Sequence, residues 1–290
     1  FRHPTVCFVY FASVICFSMI LINPICLAIS MISSVLTVII ISKSKALGFV
    51  LPVLLFSVLI SAAVNVLFNH RGATIISYFP DGNPLTFESL MYGAAASIML
   101  LSVICWFHCL NKRFTSEKII YVFGSVIPSL SLMFSIALGF VPKLKTSFQK
   151  TAAAQKTLGN GLDEKKLFKK FKNFGRILSA VVSASLENAV GVSESMKSRG
   201  YGLKGRTFYG NYFLTKSDWY ELLFFCAADI YIAVGKLNGA VDFAYFPALK
   251  WNKPNIYSMS VFAVYFLLFF APVFSEFAEA AKWKRLKSEI

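Results

Sequence analysis

Five stretches of this chain carry no Asp, Glu, Lys or Arg: Pro4 to Ser42, Ala46 to Asn69, Ser89 to Asn111, Ile119 to Pro142 and Pro254 to Ser275. Each matches or exceeds the roughly 20 apolar residues that take a helix across a bilayer. Hydrocarbon offers no partner to a free backbone N–H or C=O, so runs of this kind must fold as helices that satisfy themselves. Composition agrees: 57% of residues are hydrophobic, 16% aromatic and only 15% charged, with a mean hydropathy of +0.64, outside the range of a soluble domain. The expected class is all-α, a multi-spanning integral membrane protein with about six transmembrane helices. The first run is too long for a cleavable leader and lacks a small-residue cleavage site, so it reads as a first span.

Chemistry of the catalytic kind has little to work with. The six cysteines, Cys7, Cys16, Cys26, Cys105, Cys109 and Cys226, fall inside hydrophobic runs without CxxC spacing, which favours packing over metal binding. The only histidines are His3, His70 and His108. No Ser-His-Asp arrangement, paired carboxylates or GxxxxGK[ST] loop stands out. The expectation is a non-enzymatic chain that binds no metal and no cofactor of its own.

Basic residues set the expected topology, because short cytoplasmic connections carry the Lys/Arg excess. Lys43 and Lys45, Lys112 and Arg113, and the tail group Lys282, Lys284, Arg285 and Lys287 mark three cytoplasmic places. Asn23-Pro24 then divides the first run into two antiparallel spans, since Pro lacks an amide proton and Asn-Pro favours a turn. Both termini come out inside, and the loop from His70 to Glu88, with its turn cluster Pro80 to Pro84, lies outside. Ile119 to Pro142 is long enough to cross. Yet ten Lys/Arg against Asp163 and Glu164 follow between Lys143 and Arg176, and translocating them would break the charge rule. That run is therefore expected to lie obliquely on the cytoplasmic side. Gly124, Pro128, Ser131, Ser135 and Gly139 place small residues on one of its faces. Such a face suits close approach of another helix, either within this chain or from a separate membrane protein.

The segment that follows is amphipathic: Ala180, Ala184, Glu187, Gly191 and Glu194 share a face. Its helix should end near Arg199, with Gly200 as the left-handed closing residue. A cation in a last turn also complements the helix dipole, which gives Arg199 a purely local reading. Residues 143 to 206 hold fourteen Lys/Arg and four acids, a net +10 of the formal +15. This suits anionic lipid headgroups or acidic protein surfaces, and not nucleic acid. Toward the C-terminus, Glu221 to Gly235 is a shorter apolar stretch carrying Asp229, read as an interior-facing carboxyl.

The residues Ile127-Pro128, Phe140-Val141-Pro142, Ala153-Ala154-Gln155-Lys156 and above all Glu194 to Gly202, with Arg206-Thr207 behind, resemble the transmembrane (T) component of energy-coupling factor (ECF) transporters, the EcfT/CbiQ-like family. His3-Pro4 and Asn23-Pro24 sit where that family has such pairs. The resemblance implies a plasma-membrane, multi-pass T component of an ABC-type importer for vitamins or transition metals such as cobalt. Two cytosolic ATPases, which hold the ATP and Mg, would dock on amphipathic cytoplasmic coupling helices, and a substrate-binding membrane S component would pack against the same helices. It implies ATPase-docking motifs at Ser198-Arg199-Gly200 and near Gln155, Lys156, Leu158 and Gly159, with Leu158 departing from the expected Arg. The face of Gly124, Pro128, Ser131, Ser135 and Gly139 would meet the S component. The corresponding division is an N-terminal membrane domain (1–118, four spans), a coupling region (119–210) and a C-terminal membrane segment (211–290, two spans). A conventional ABC permease with its own translocation path, or a non-transport membrane scaffold, is the alternative. The transported substrate is not legible.

Overall fold

A computed structural model describes the chain except residues 1–2, 44–45, 70–71, 79–83, 116, 120, 123–127, 162–166, 202, 204–211, 252–254 and 289–290. It is helical throughout, as expected, apart from two short antiparallel strand pairs. The elements are α1 (Pro4–Ile20), α2 (Pro24–Ser42), α3 (Ala46–Phe68), β1 (Ile75–Tyr78), β2 (Pro84–Thr86), α4 (Phe87–Arg113), α5 (Pro128–Thr157), α6 (Leu167–Ser198), α7 (Lys216–Leu237), β3 (Phe243–Ala244), β4 (Lys250–Trp251) and α8 (Ile256–Ser288). They form two compact units, one of residues 1–115 with 212–290, the other of residues 116–211. Among the described residues three helices are long and apolar enough to cross a membrane, within Pro24–Ser42, Phe87–Arg113 and Ile256–Ala278; Pro4–Ile20 and Gly48–Ser61 are shorter apolar helices.

Two helix starts in the first unit follow one device. His3 and Asn23 are extended N-caps whose side chains accept from the amides of Thr5 and Ile25, and each is followed by a proline at the first helical position. Proline needs no amide partner there and its φ is already helical. The pairs His3-Pro4 and Asn23-Pro24 are thus helix openings. α7 begins with a capping box in which Thr215 and Asp218 satisfy each other's backbone amides, a pattern the sequence reading did not use.

Aromatic packing joins four of the helices. Trp106 of α4 is fully buried and meets Tyr10 of α1 at 6.2 Å between ring centroids and Phe269 of α8 at 5.9 Å. Tyr10 also packs on Phe225 of α7 at 5.1 Å and donates its hydroxyl to the Phe269 carbonyl at 3.3 Å. Elsewhere small residues let helices close in, as lipid-solvated packing favours. Ser61 of α3 donates to the Gly93 carbonyl of α4, and Ser89 of α4 donates to the carbonyls of Asn65 in α3 and of Asn69 just past its end.

Contacts between distant segments fix how these helices run. At one end, Asn23 donates to the Val241 carbonyl at 3.2 Å, Tyr245 to the Ile22 carbonyl at 2.9 Å, and the Ala73 amide to the Pro247 carbonyl at 2.9 Å. At the other, His108 stacks on Phe49 and bonds Ser42, Phe8 meets Phe114, His3 meets Tyr212, and Arg113 pairs with Glu276. Successive helices of the unit therefore alternate in direction. Lys112 and Arg113 share their end with Ser42, next to Lys43, as the charge pattern requires.

In the second unit the helix does not stop where the charge-free run does: α5 runs unbroken from Pro128 through Pro142 to Thr157, so Lys143, Lys145, Lys150 and Lys156 lie on the same helix as the apolar residues before them. Proline inside a helix removes one hydrogen bond and bends the helix without having to end it. Likewise α8 continues past Ser275 into the basic tail.

Gly235 marks a close helix contact: a Cβ there would stand 2.7 Å from a methyl of Val261. Gly235→Leu should therefore destabilise the protein by about 1–3 kcal/mol through overpacking, read as a drop of several degrees in thermal unfolding in detergent. Gly48→Leu, at a position where a Cβ meets nothing within 4 Å, should leave the midpoint nearly unchanged.

Candidate functional site: two matched helix ends

α5 and α6 each meet the same problem, since the last four carbonyls of a helix have no partner within it. Both solve it the same way. At the end of α5, Gly159 takes φ +78°, its amide donates to the Lys156 carbonyl at 3.1 Å, and the Asn160 amide donates to the Gln155 carbonyl at 2.9 Å. At the end of α6, Gly200 takes φ +80°, its amide donates to Lys197 at 3.0 Å, and Tyr201 donates to Met196 at 3.0 Å. This is the Schellman closure, and the left-handed position favours glycine because no Cβ is strained there. Even the hydroxyls match: Thr157 Oγ1 donates to Ala154 and Ser198 Oγ to Ser195.

The registers Lys156-Thr157-Leu158-Gly159 and Lys197-Ser198-Arg199-Gly200 are thus equivalent in backbone. Leu158 and Arg199 occupy the same place, the residue before the left-handed glycine. α7 closes with the same bonds at Gly239, so the closure itself is generic. What distinguishes the two ends is the side chains they display. Leu158 is 70% exposed, and Ser198 and Arg199 are exposed as well. Among the described residues the Arg199 guanidinium has no hydrogen-bond or ion-pair partner. That weighs against a cap in which it binds the last carbonyls. An open hollow of about 460 Å³ leads to it along α6, lined by Glu187, Asn188, Gly191, Val192, Ser195, Met196 and Arg199.

Near the joint the two helices pack through Phe148 and Phe174, with centroids 5.8 Å apart, and Asn173 donates to the Gly161 carbonyl at 3.0 Å. Asn173, Ile177 and Val181 form the buried row of α6. Ala180, Ala184, Glu187, Gly191 and Glu194 are all exposed. The sequence reading missed a second row: Leu178, Val182, Leu186 and Val190 recur every fourth residue and are 45–65% exposed. Their spacing was a visible signal, since apolar residues at i and i+4 share a face.

The small-residue face of α5 is only partly described. Gly124 lies outside the described residues, as do the side chains of Pro128 and Ser131. Ser135 and Gly139 are exposed, and a Cβ on Gly139 would meet nothing within 4 Å. In the first unit Asp229 is partly buried, with Oδ1 enclosed and lacking a hydrogen-bond partner among the described residues. Three interior hydroxyls of α2 turn onto their own helix, Ser33 donating to the Ser30 carbonyl, Ser34 to Met31 and Thr37 to Ser33, whereas the buried Ser30 hydroxyl has no hydrogen-bond partner among the described residues.

No family model matches the chain. The chain is similar to energy-coupling factor transporter transmembrane proteins EcfT. It is 36% identical over 109 residues to that of Lactobacillus helveticus, 38% over 84 residues to that of Lactococcus lactis subsp. cremoris, and 37% over 81 residues to that of Bacillus selenitireducens. These alignments take in 37%, 29% and 28% of this chain and span only 39%, 32% and 30% of the relatives' own lengths.

If the left-handed glycines hold the two ends, Gly159→Ala and Gly200→Ala should each cost about 1–2 kcal/mol locally. Hydrogen exchange at the amides of Asn160 and Tyr201 should then quicken roughly 5- to 30-fold. Gly175→Ala, inside α6 with open space around it, should slow local exchange, because alanine favours the helix interior.

Proposed function

We propose that this chain is the T component of an ECF-type ABC importer, a non-catalytic membrane subunit that passes movement from two cytosolic ATPases to a substrate-binding S component. The observation that carries the reading is the pair of matched helix ends, Leu158-Gly159 and Arg199-Gly200, in a chain similar to EcfT proteins. Docking on a water-soluble ATPase calls for a polar tip on a helix whose other faces meet lipid or protein. An Arg suits that tip: its planar guanidinium stays charged and binds a carboxylate through two parallel hydrogen bonds. The docking set is Ser198, Arg199 and Gly200 on one arm and Gln155, Lys156, Leu158 and Gly159 on the other. ATP and Mg belong to the partner subunits.

The S component would lie on the face of Gly124, Pro128, Ser131, Ser135 and Gly139, joined by the exposed row of Leu178, Val182, Leu186 and Val190. Six spans, α1 to α4 with α7 and α8, fit the alternating directions in the first unit, with both termini and the basic region cytoplasmic in the plasma membrane. The cargo class would be a vitamin or a transition metal such as cobalt. A conventional permease would need polar groups free to line a path, whereas three interior α2 hydroxyls, those of Ser33, Ser34 and Thr37, are spent on carbonyls of their own helix.

The two seats should differ in chemistry, one charged and one apolar. Arg199→Ala should weaken ATPase docking by a few kcal/mol, since the partner carboxylate is left unpaired, and abolish uptake. Arg199→Lys should restore it only in part, because an ammonium lacks the fork geometry. Leu158→Ala should do less than Arg199→Ala. Pull-down of the ATPases with uptake measured in parallel decides the matter: full ATPase recovery and normal uptake with Arg199→Ala would reduce this residue to a helix end.

A further inference from the structure

α5 changes character within one turn. Before Pro142 its described side chains are apolar apart from Ser135 and mostly outward, with Met133, Phe134, Ile136, Leu138 and Val141 between 43% and 61% exposed. From Lys143 onward it carries Lys143, Lys145, Lys150 and Lys156, and no Asp or Glu occurs anywhere from Pro128 to Thr157. An open hollow of about 460 Å³ lies just past this boundary, lined by Pro142, Lys143, Thr146, Ser147 and Lys150. Lys143, Ser147 and Lys150 follow at steps of four and three, so they share one helix face. Ile136, seven residues before Lys143, extends that face into the apolar half. Phe148 points elsewhere, onto Phe174 of α6.

Among the described residues neither Lys143 nor Lys150 has an ion-pair or hydrogen-bond partner. Thr146 is already committed, donating to the Pro142 carbonyl at 3.0 Å. The donors left at the hollow are therefore two ammonium groups and the Ser147 hydroxyl, directly below an exposed apolar surface. Lysine presents a point charge suited to phosphate, and basic residues at an apolar boundary attract anionic lipid.

We propose that this hollow is a seat for the headgroup of an anionic phospholipid, held by Lys143, Lys150 and Ser147, with its acyl chains along the apolar half of α5. An acidic protein surface is the competing occupant. It has no use for the apolar residues immediately above the lysines, and so the lipid is favoured. The inference concerns α5 alone and does not depend on the coupling role of Leu158 or Arg199.

The test uses the full chain purified from bilayers of equal phosphatidylcholine and phosphatidylglycerol, with retained lipids counted by native mass spectrometry and phosphatidylglycerol affinity measured by titration in detergent. The wild type should retain phosphatidylglycerol over phosphatidylcholine. The double variant Lys143→Gln/Lys150→Gln should lose one bound phosphatidylglycerol and bind it roughly 30-fold more weakly, from about a fivefold effect per lysine. Lys143→Arg/Lys150→Arg should keep it, and Lys169→Gln/Lys170→Gln, on α6, should behave as wild type. Unchanged retention in the Gln double variant, or equal retention of the two lipids by the wild type, would overturn the proposal. So would a Gln double variant that keeps its phosphatidylglycerol but loses its ATPases, which would make the hollow a protein seat.

Discussion

A bilayer interior supplies no partner to a free backbone group, and in this chain that constraint decides where polarity can appear. The spans must be helices, and within them the places where helices end become the positions at which carbonyls, amides and charged side chains can be offered to something outside. Prolines at Pro4 and Pro24 open two helices without an orphan amide. Left-handed glycines at Gly159, Gly200 and Gly239 close three others. Once the last carbonyls are satisfied by the chain itself, the residue just before the glycine is released from capping and can serve recognition. Arg199 and Leu158 are in that position.

The two units use this economy differently. In the first, helices are fastened by an aromatic core around Trp106 and by serine-to-carbonyl bonds, and its loop segments are tied to one another, as Asn23 is to Val241. Its polar groups are largely consumed internally. In the second, α5 and α6 share a short packed joint and otherwise expose most of their described surface, apolar rows included. Exposed apolar rows on a helix are costly in water, so that surface is suited to partners and lipid.

Much of this was legible in the sequence, and the parts that were not have physical reasons. Charge-free runs announced the three helices long and apolar enough to cross a membrane, because such helices are defined by what they lack. The Asn23-Pro24 division and the closing role of Gly200 follow from local chemistry of one or two residues. Continuity of α5 through Pro142 was not legible, because proline's cost is a single hydrogen bond that the flanking turns can absorb, and the sequence does not reveal when they do. The strand pairs β1–β2 and β3–β4 escaped notice because exposed strands of two to four residues leave no alternation to detect. The equivalence of Leu158 and Arg199 was suggested by family resemblance. Its backbone basis, identical closing bonds at Gly159 and Gly200, needed coordinates.

The central claim is that these two helix ends, and not helix ends in general, are seats for ATPases. Photo-crosslinking tests it directly: a photoreactive phenylalanine analogue is placed singly at Leu158, Tyr201 and Leu237 in the full chain, co-expressed with ECF-type ATPases and an S component. Leu237 ends α7, which has the same glycine closure and serves as the control. The account predicts crosslinks to ATPase subunits from Leu158 and Tyr201 and none from Leu237. Crosslinking of all three alike, or of neither Leu158 nor Tyr201, would contradict it.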